Sequence, residues 1–261
     1  MTADESPPAA DAPRACVAFF HAHPDDEAIF TGGTLALLAR AGHRTVVVVA
    51  TSGELGRVHD EGTELAAHRR AETRGACAEL GVDAVHFLGY RDSGMPGDPA
   101  NLDPEAFSVV PLEIAAADLA AVLRAEAVDT LVSYEPGGIY GHPDHIRVHE
   151  VGLLAAKTAG IATRYDATVD AEYLHFVDTH LVDHASSTLP DMPGFGSPSV
   201  LISTMVDVRP VIEQKRRAIE LHHSQLPDES ALRMMPHGSF TDVYGFEWYL
   251  RDGPPGALDG L

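Results

Sequence analysis

The sequence predicts an α/β fold, a mainly parallel sheet flanked by helices, and three observations predict it. Short apolar runs alternate with longer helix-like stretches from Cys16 to Ala159, the order expected of βαβ units. The run Thr45–Thr51 contains four consecutive valines, which suits a parallel strand buried on both faces. Two strand-to-helix junctions collect histidines and carboxylates, and ligand sites in open α/β sheets lie at the carboxyl ends of strands.

Cys16–Ala22 reads as the first strand and Glu27–Ala41, small and apolar, as the first helix. Thr45–Thr51 is the second strand. Glu64–Leu80 is helical and ends at Gly81, a residue suited to the left-handed position after a helix. Val85–Leu88 is a short strand and Pro111–Glu126 an Ala-rich helix. Val128–Tyr134 is an apolar strand and Ile146–Ala159 a helix. Further on, Tyr173–Val177 and Val200–Ser203 are expected strands and Val208–His223 an expected helix. The architecture is Rossmann-like with an embellished C-terminal third. The stretches Gly53–Gly62, Tyr90–Asp103 and His184–Ser199 are long and polar, and loops of that length are often functional. The first two follow strands, so they are expected on the rim that carries the His- and Asp-bearing turns.

At 261 residues and 45% hydrophobic content, the chain fits one domain, residues 15–261, with a sizeable core. Residues 1–14 are rich in Pro, Ala and acid and read as a disordered tail, with no basic start or apolar core of a signal peptide. The net charge of −21 argues against nucleic acid, whose phosphates need a surplus of Lys and Arg, and against an anionic membrane surface. No apolar stretch reaches membrane-spanning length. Cys16 and Cys77 are the only cysteines. They sit among apolar residues, imply no disulfide framework and make the cytoplasm the default compartment. A homo-oligomer is left open.

The chemistry lies in two segments. His21-Ala22-His23-Pro24-Asp25-Asp26-Glu27 joins the first strand to the first helix. Gly137-Gly138-Ile139-Tyr140-Gly141-His142-Pro143-Asp144-His145 joins the Val128–Tyr134 strand to the next helix. Crowded imidazoles and carboxylates suit a divalent metal, and a catalytic Zn²⁺ takes three protein ligands plus a water. Either turn alone supplies too few ligands. Two such turns at neighbouring strand ends supply three and leave carboxylates over.

His23-Pro24-Asp25-Asp26-Glu27 and His142-Pro143-Asp144-His145 resemble the two signature motifs of the LmbE-like zinc deacetylases. That family includes the N-acetylglucosaminyl-phosphatidylinositol de-N-acetylases (PIG-L) and the mycothiol-pathway deacetylase and amidase. The resemblance runs from about Cys16 to Gln225. It implies a zinc-dependent hydrolase that removes an N-acetyl or other N-acyl group from an N-acetylglucosamine-type sugar or glycoside by metal-activated water. It implies His23, Asp26 and His145 as metal ligands and Asp25 as the general base. It implies His142 as a second catalytic group that stabilises the tetrahedral intermediate or protonates the leaving amine, with Asp144 holding its ring, as buried Asp does for other catalytic histidines. It implies Tyr140 as an oxyanion donor, and Arg69 and Asp92 as substrate contacts. A His/Asp/His set also accepts Fe²⁺, Co²⁺ or Ni²⁺.

Several residues carry a plainer reading. Asp25 and Asp26 also suit a helix start, and Glu27 suits the same role or support of the ligands. His149, four residues after His145 on one helix face, competes as a supporting residue. His21 suits either the site or the core. Ser224-Gln225 resembles a late family pattern. The rival functions are an amidase of mycothiol S-conjugates and, from a different class, a non-catalytic metal- or sugar-binding domain. The latter has no need of Asp25. A nucleotide-binding Rossmann domain is disfavoured because no Gly-rich phosphate loop follows the first strand.

Overall fold

The computed structural model describes residues 14–56, 64–173, 175, 195–226 and 230–261. The expected tail therefore lies outside the described residues except for Arg14, as do positions 57–62 and 184–194 of two expected loops. The strands are β1 (Cys16–His21), β2 (Arg44–Thr51), β3 (Ala84–Tyr90), β4 (Thr130–Tyr134), β5 (Thr163–Thr168), β6 (Thr204–Asp207) and β7 (Phe246–Asp252). The helices are α1 (Asp26–Arg40), α2 (Glu64–Leu80), α3 (Leu112–Ala125), the single turn α4 (Gly138–Gly141), α5 (Pro143–Ala159), α6 (Ile212–Glu220), α7 (Ala231–Met234) and α8 (His237–Tyr244).

The strands form one sheet in the order β3-β2-β1-β4-β5-β7-β6. The first five in that order run parallel, and β7 pairs antiparallel with both β5 and β6. The valines of β2 are fully buried, as a strand covered on both faces requires. Helix α1 packs against α2 and α6 on one face of the sheet, and α3 packs against α5. Gly33 in α1 permits the close approach of Val208, because a Cβ there would stand 2.3 Å from the Val208 Cβ.

The fold class is as expected, and the differences lie beyond α5. Val200–Ser203 is not a strand. Ser199–Leu201 forms a 3₁₀ turn and the strand starts at Thr204. Over the expected strand Tyr173–Val177, Tyr173 and His175 are helical, and positions 174, 176 and 177 lie outside the described residues. Strands β5 and β7 carry no apolar run. In β5, Arg164 and Asp166 are buried, and Asp166 accepts the Ser133 hydroxyl at 3.0 Å. Among the described residues, no helix is long and apolar enough to cross a membrane.

Candidate active site

β1 and β4 are neighbours, and the chain proceeds from them in opposite directions, to β2 and β3 on one side and to β5, β7 and β6 on the other. Their carboxyl ends flank the switch point at which open α/β sheets form a crevice. Both motif segments follow these two strands, which is why residues about 120 positions apart in the chain meet, as in the 3.1 Å contact of His23 Nε2 with Asp144 Oδ2 (121 residues apart).

The first turn is held under strain. Asp25 adopts φ 106°, a left-handed conformation that costs about 1–3 kcal/mol for a residue other than glycine. Three side chains hold it. The Asp25 N–H donates to Glu27 Oε2 at 3.1 Å, and Glu27 Oε1 lies 2.7 Å from His222 Nε2. Arg69 donates to the Pro24 carbonyl at 2.5 Å and to Asp25 Oδ2 at 3.2 Å. In the second turn, Glu135 accepts the N–H groups of Gly137 and Ile139, both at 2.6 Å. Gly138 is required there. Its φ is +65°, and a Cβ would stand 2.6 Å from the Ile146 nitrogen. His142 caps α5, its Nδ1 accepting the Asp144 N–H at 3.1 Å, with Pro143 at the first helical position.

These turns bring buried donor atoms of His23, Asp26 and His145 within 4.8 Å of one another. Asp26 Oδ2 is 3.6 Å from His23 Nδ1 and 3.4 Å from His145 Nε2. Two ligands about 2.0–2.1 Å from a tetrahedral ion stand roughly 3.4 Å apart, so spacing and donor types both fit zinc. A second group, His23, Asp92, His142 and Asp144, shares His23 with the first. Ser93 holds Asp144 through its N–H at 3.0 Å and its hydroxyl. A carboxylate on the far nitrogen of a ligating imidazole is the usual means of fixing its ring.

The electrostatics favour a cation. Burial lowers the His23 imidazole, but Asp144, Asp26 and Asp92 outweigh it and raise the group well above its ordinary value. Burial would raise the Asp26 carboxyl, yet His145 and His23 hold it far below the carboxylate range. Burial pushes His145 down to about 3 against the pull of Asp26, which keeps it a neutral donor. Although 22% of its side chain is exposed, Asp25 is raised to about 6, first by desolvation and against the Arg69 guanidinium. A carboxylate near that value is ionised at neutral pH and still basic enough to take a proton. Burial and the nearby carboxylates raise the Tyr140 hydroxyl, so it remains a donor. That hydroxyl lies 3.0 Å from His145 Nε2.

Three expectations change. The Asp144 carboxylate does not hold the His142 ring. It is occupied by His23 and Ser93, and only its backbone N–H reaches His142. Arg69 is 3% exposed and its guanidinium is engaged by Gly53 O, Pro24 O and Asp25. It braces the turn and does not stand on an outer rim. Asp92 is likewise buried, 3.6 Å from His23 Nε2, and accepts the Gly94 N–H at 2.8 Å. Arg69→Ala is therefore expected to lower kcat at least ~10-fold with little change in KM, as loss of a positioning contact does. A rise in KM alone would restore the substrate-contact reading.

His149 is turned away from the cluster, with Nδ1 2.8 Å from the Tyr134 carbonyl. His21 is a core residue between the Tyr134 and Thr31 hydroxyls. Ser224 donates twice to Glu72. Both cysteines are buried free thiols. Sequence reasoning missed Ser93, Glu135 and His222. Glu135 had a signal, an acid directly after a strand. His222 had none, since its partner Glu27 is 195 residues away.

The family profile described as PIG-L, GlcNAc-PI de-N-acetylase, matches residues 18–156. The chain is similar to the 1D-myo-inositol 2-acetamido-2-deoxy-alpha-D-glucopyranoside deacetylase of Acidothermus cellulolyticus, with 34% identity over 88% of this chain and 86% of that protein. Among solved structures it resembles the N,N'-diacetylchitobiose deacetylase of Pyrococcus horikoshii, with a TM-score of 0.59 and 25% identity over 92% of this chain and 85% of that one. It also superposes on the 4-carboxy-2-hydroxymuconate hydratase GalB of Pseudomonas putida, with a TM-score of 0.60 and 16% identity over 93% and 98% of the two chains. That likeness concerns the fold alone. With both motifs in place and the profile spanning more than half its length, the chain belongs to the PIG-L family of de-N-acetylases.

Proposed function

We propose that the protein is a zinc-dependent N-deacetylase of an N-acetylglucosamine-type sugar or glycoside. One observation carries this reading. Three metal-type donors converge while a fourth group, Asp25, is left beside them with its carboxylate partly exposed. A metal-binding module has no use for that fourth group. His23, Asp26 and His145 would hold the ion, and the same donors admit Fe²⁺, Co²⁺ or Ni²⁺. The ion, when bound, lowers the pKa of water towards ~7 and polarises the amide carbonyl.

Asp25 takes the proton of the attacking water and passes it on to the departing nitrogen. The C–N bond breaks, a C–O bond forms, and acetate and a free amine leave. Tyr140 donates to the oxygen on which charge develops. Burial and His23 lower the His142 imidazole. Its Nδ1 accepts a backbone N–H, so the neutral ring carries its proton on Nε2, as a donor to the substrate. Arg69 and Asp92 shape the site around these groups. The single seven-stranded sheet supports residues 15–261 as one domain, and the two buried thiols support a reducing cytoplasmic location.

Metal-loaded protein is expected to release amine from N-acetylglucosamine glycosides. Chelation should abolish this and zinc should restore it. Zinc at 100 times its Kd should also stabilise the fold by about 2.7 kcal/mol, read as a rise in Tm that His145→Ala removes. An unchanged Tm in wild type, or amine release indifferent to chelation, counts against the proposal.

A further inference from the structure

A cavity of about 360 Å³ opens against Asp25, Asp26 and Tyr140, in the size range of small-molecule pockets, about 300–1,000 Å³. It extends to the β5 and β7 side of the site. Its walls are mostly apolar, Ile29, Phe30, Val169, Phe195, Val243 and Trp248, with Tyr244 and with Thr168, whose hydroxyl is taken by Ser197 at 2.9 Å. Lys215 and Glu247 also line it, but they are paired with each other at 2.7 Å. Asp92 and Ser93 follow β3, on the other side of the motif cluster, and neither they nor His142 line it.

We propose that this cavity is a subsite for the acyl half of the scissile amide and takes aliphatic N-acyl chains longer than acetyl. The inference rests on the deacetylase reading and specifies its substrate class. An amide has two ends. When its carbonyl carbon lies beside Asp25 and Asp26, the acyl carbon chain and the sugar leave in different directions. The sugar carries hydroxyls around the reacting nitrogen, and burying these among mostly aliphatic and aromatic walls, whose Thr168, Lys215 and Glu247 are already paired, is unfavourable. His142, which does not line the cavity and carries its proton on Nε2, supplies a hydrogen-bonding group to that end of the amide. An aglycone is attached through the sugar and follows it. The apolar cavity is left for the acyl chain, whose methylenes gain by leaving water. The reaction is the same hydrolysis: the C–N bond breaks, water supplies the new C–O bond, and a free fatty acid leaves in place of acetate.

The test uses metal-loaded protein and methyl glucosaminides bearing N-acetyl, N-butyryl, N-hexanoyl or N-octanoyl groups, read by amine release. A second series keeps N-acetyl and lengthens the alkyl aglycone from methyl to octyl. Each buried methylene is worth roughly fourfold in binding, so kcat/KM should rise at least ~10-fold from acetyl to hexanoyl. Val243→Trp and Val169→Phe, which fill the cavity, should flatten that rise and leave N-acetyl turnover within about twofold. Hydrolysis of N-acetyl substrates with a flat or falling acyl series overturns the subsite and leaves the deacetylase reading intact. A rise in the aglycone series alone, lost in the two variants, assigns the cavity to the aglycone and also overturns it. No amine from any substrate overturns both.

Discussion

Asp25→Asn is expected to lower kcat by about 10²–10⁴-fold, the usual worth of a general base, without loss of metal. The substitution isolates the proton acceptor for structural reasons. Asp25 stands at φ 106°, and Asn is one of the few residues that tolerates the left-handed region. The Asp25 N–H still reaches Glu27 and its side-chain oxygen still faces Arg69. The three metal-type donors belong to other residues. The change thus removes basicity and little else. Kinetics and elemental analysis check it together. A near-normal kcat removes Asp25 from the mechanism, and loss of metal with activity would make it a ligand instead.

The parallel half of the fold was legible because its residues are self-consistent. The valines of β2 and the apolar runs of β1 and β4 cannot satisfy an exposed strand, and the helices between them fill the crossovers. The two motifs were legible because chemistry crowds them against strand ends. What was not legible depends on distant partners. Thr163–Thr168 carries Arg164 and Asp166, which look exposed in sequence and are buried only because Ser133, His149 and Asp252 surround them. Phe246–Asp252 alternates poorly because Glu247 points at α1. The same limit applied at the site. The resemblance implies that Asp144 holds the nearby His142, and only the fold shows its carboxylate turned to His23. The resemblance implies Arg69 as a substrate contact, and only the packing of α2 beside the Pro24 turn brings its guanidinium to the Pro24 carbonyl and Asp25.

The second large effect is on stability. Glu247→Ala is expected to destabilise the protein by roughly 3–5 kcal/mol, the cost of stranding one partner of a buried ion pair. Lys215 and Glu247 have side chains only 2% exposed each and meet at 2.7 Å. Glu247 also accepts the N–H groups of Gly33 at 2.7 Å and Thr34 at 2.8 Å, and the Tyr249 hydroxyl at 3.2 Å. One carboxylate thus ties β7 and α6 to the middle of α1, the helix whose first residues enter the site. Alanine leaves the Lys215 ammonium buried without its carboxylate and strands the two N–H groups, so the loss exceeds that of a surface pair, about 0–1 kcal/mol. At roughly 2–4 °C per kcal/mol for a chain of this size, Tm should fall by about 10 °C. The double variant Lys215→Met with Glu247→Gln removes both charges and keeps an acceptor for α1. It should be closer to wild type than Glu247→Ala, because a neutral pair of similar volume carries no unpaired charge. A Tm shift of only a degree or two in Glu247→Ala would mean that water reaches Lys215. An equal loss in the double variant would place the stability in the hydrogen bonds to α1 and not in the ion pair.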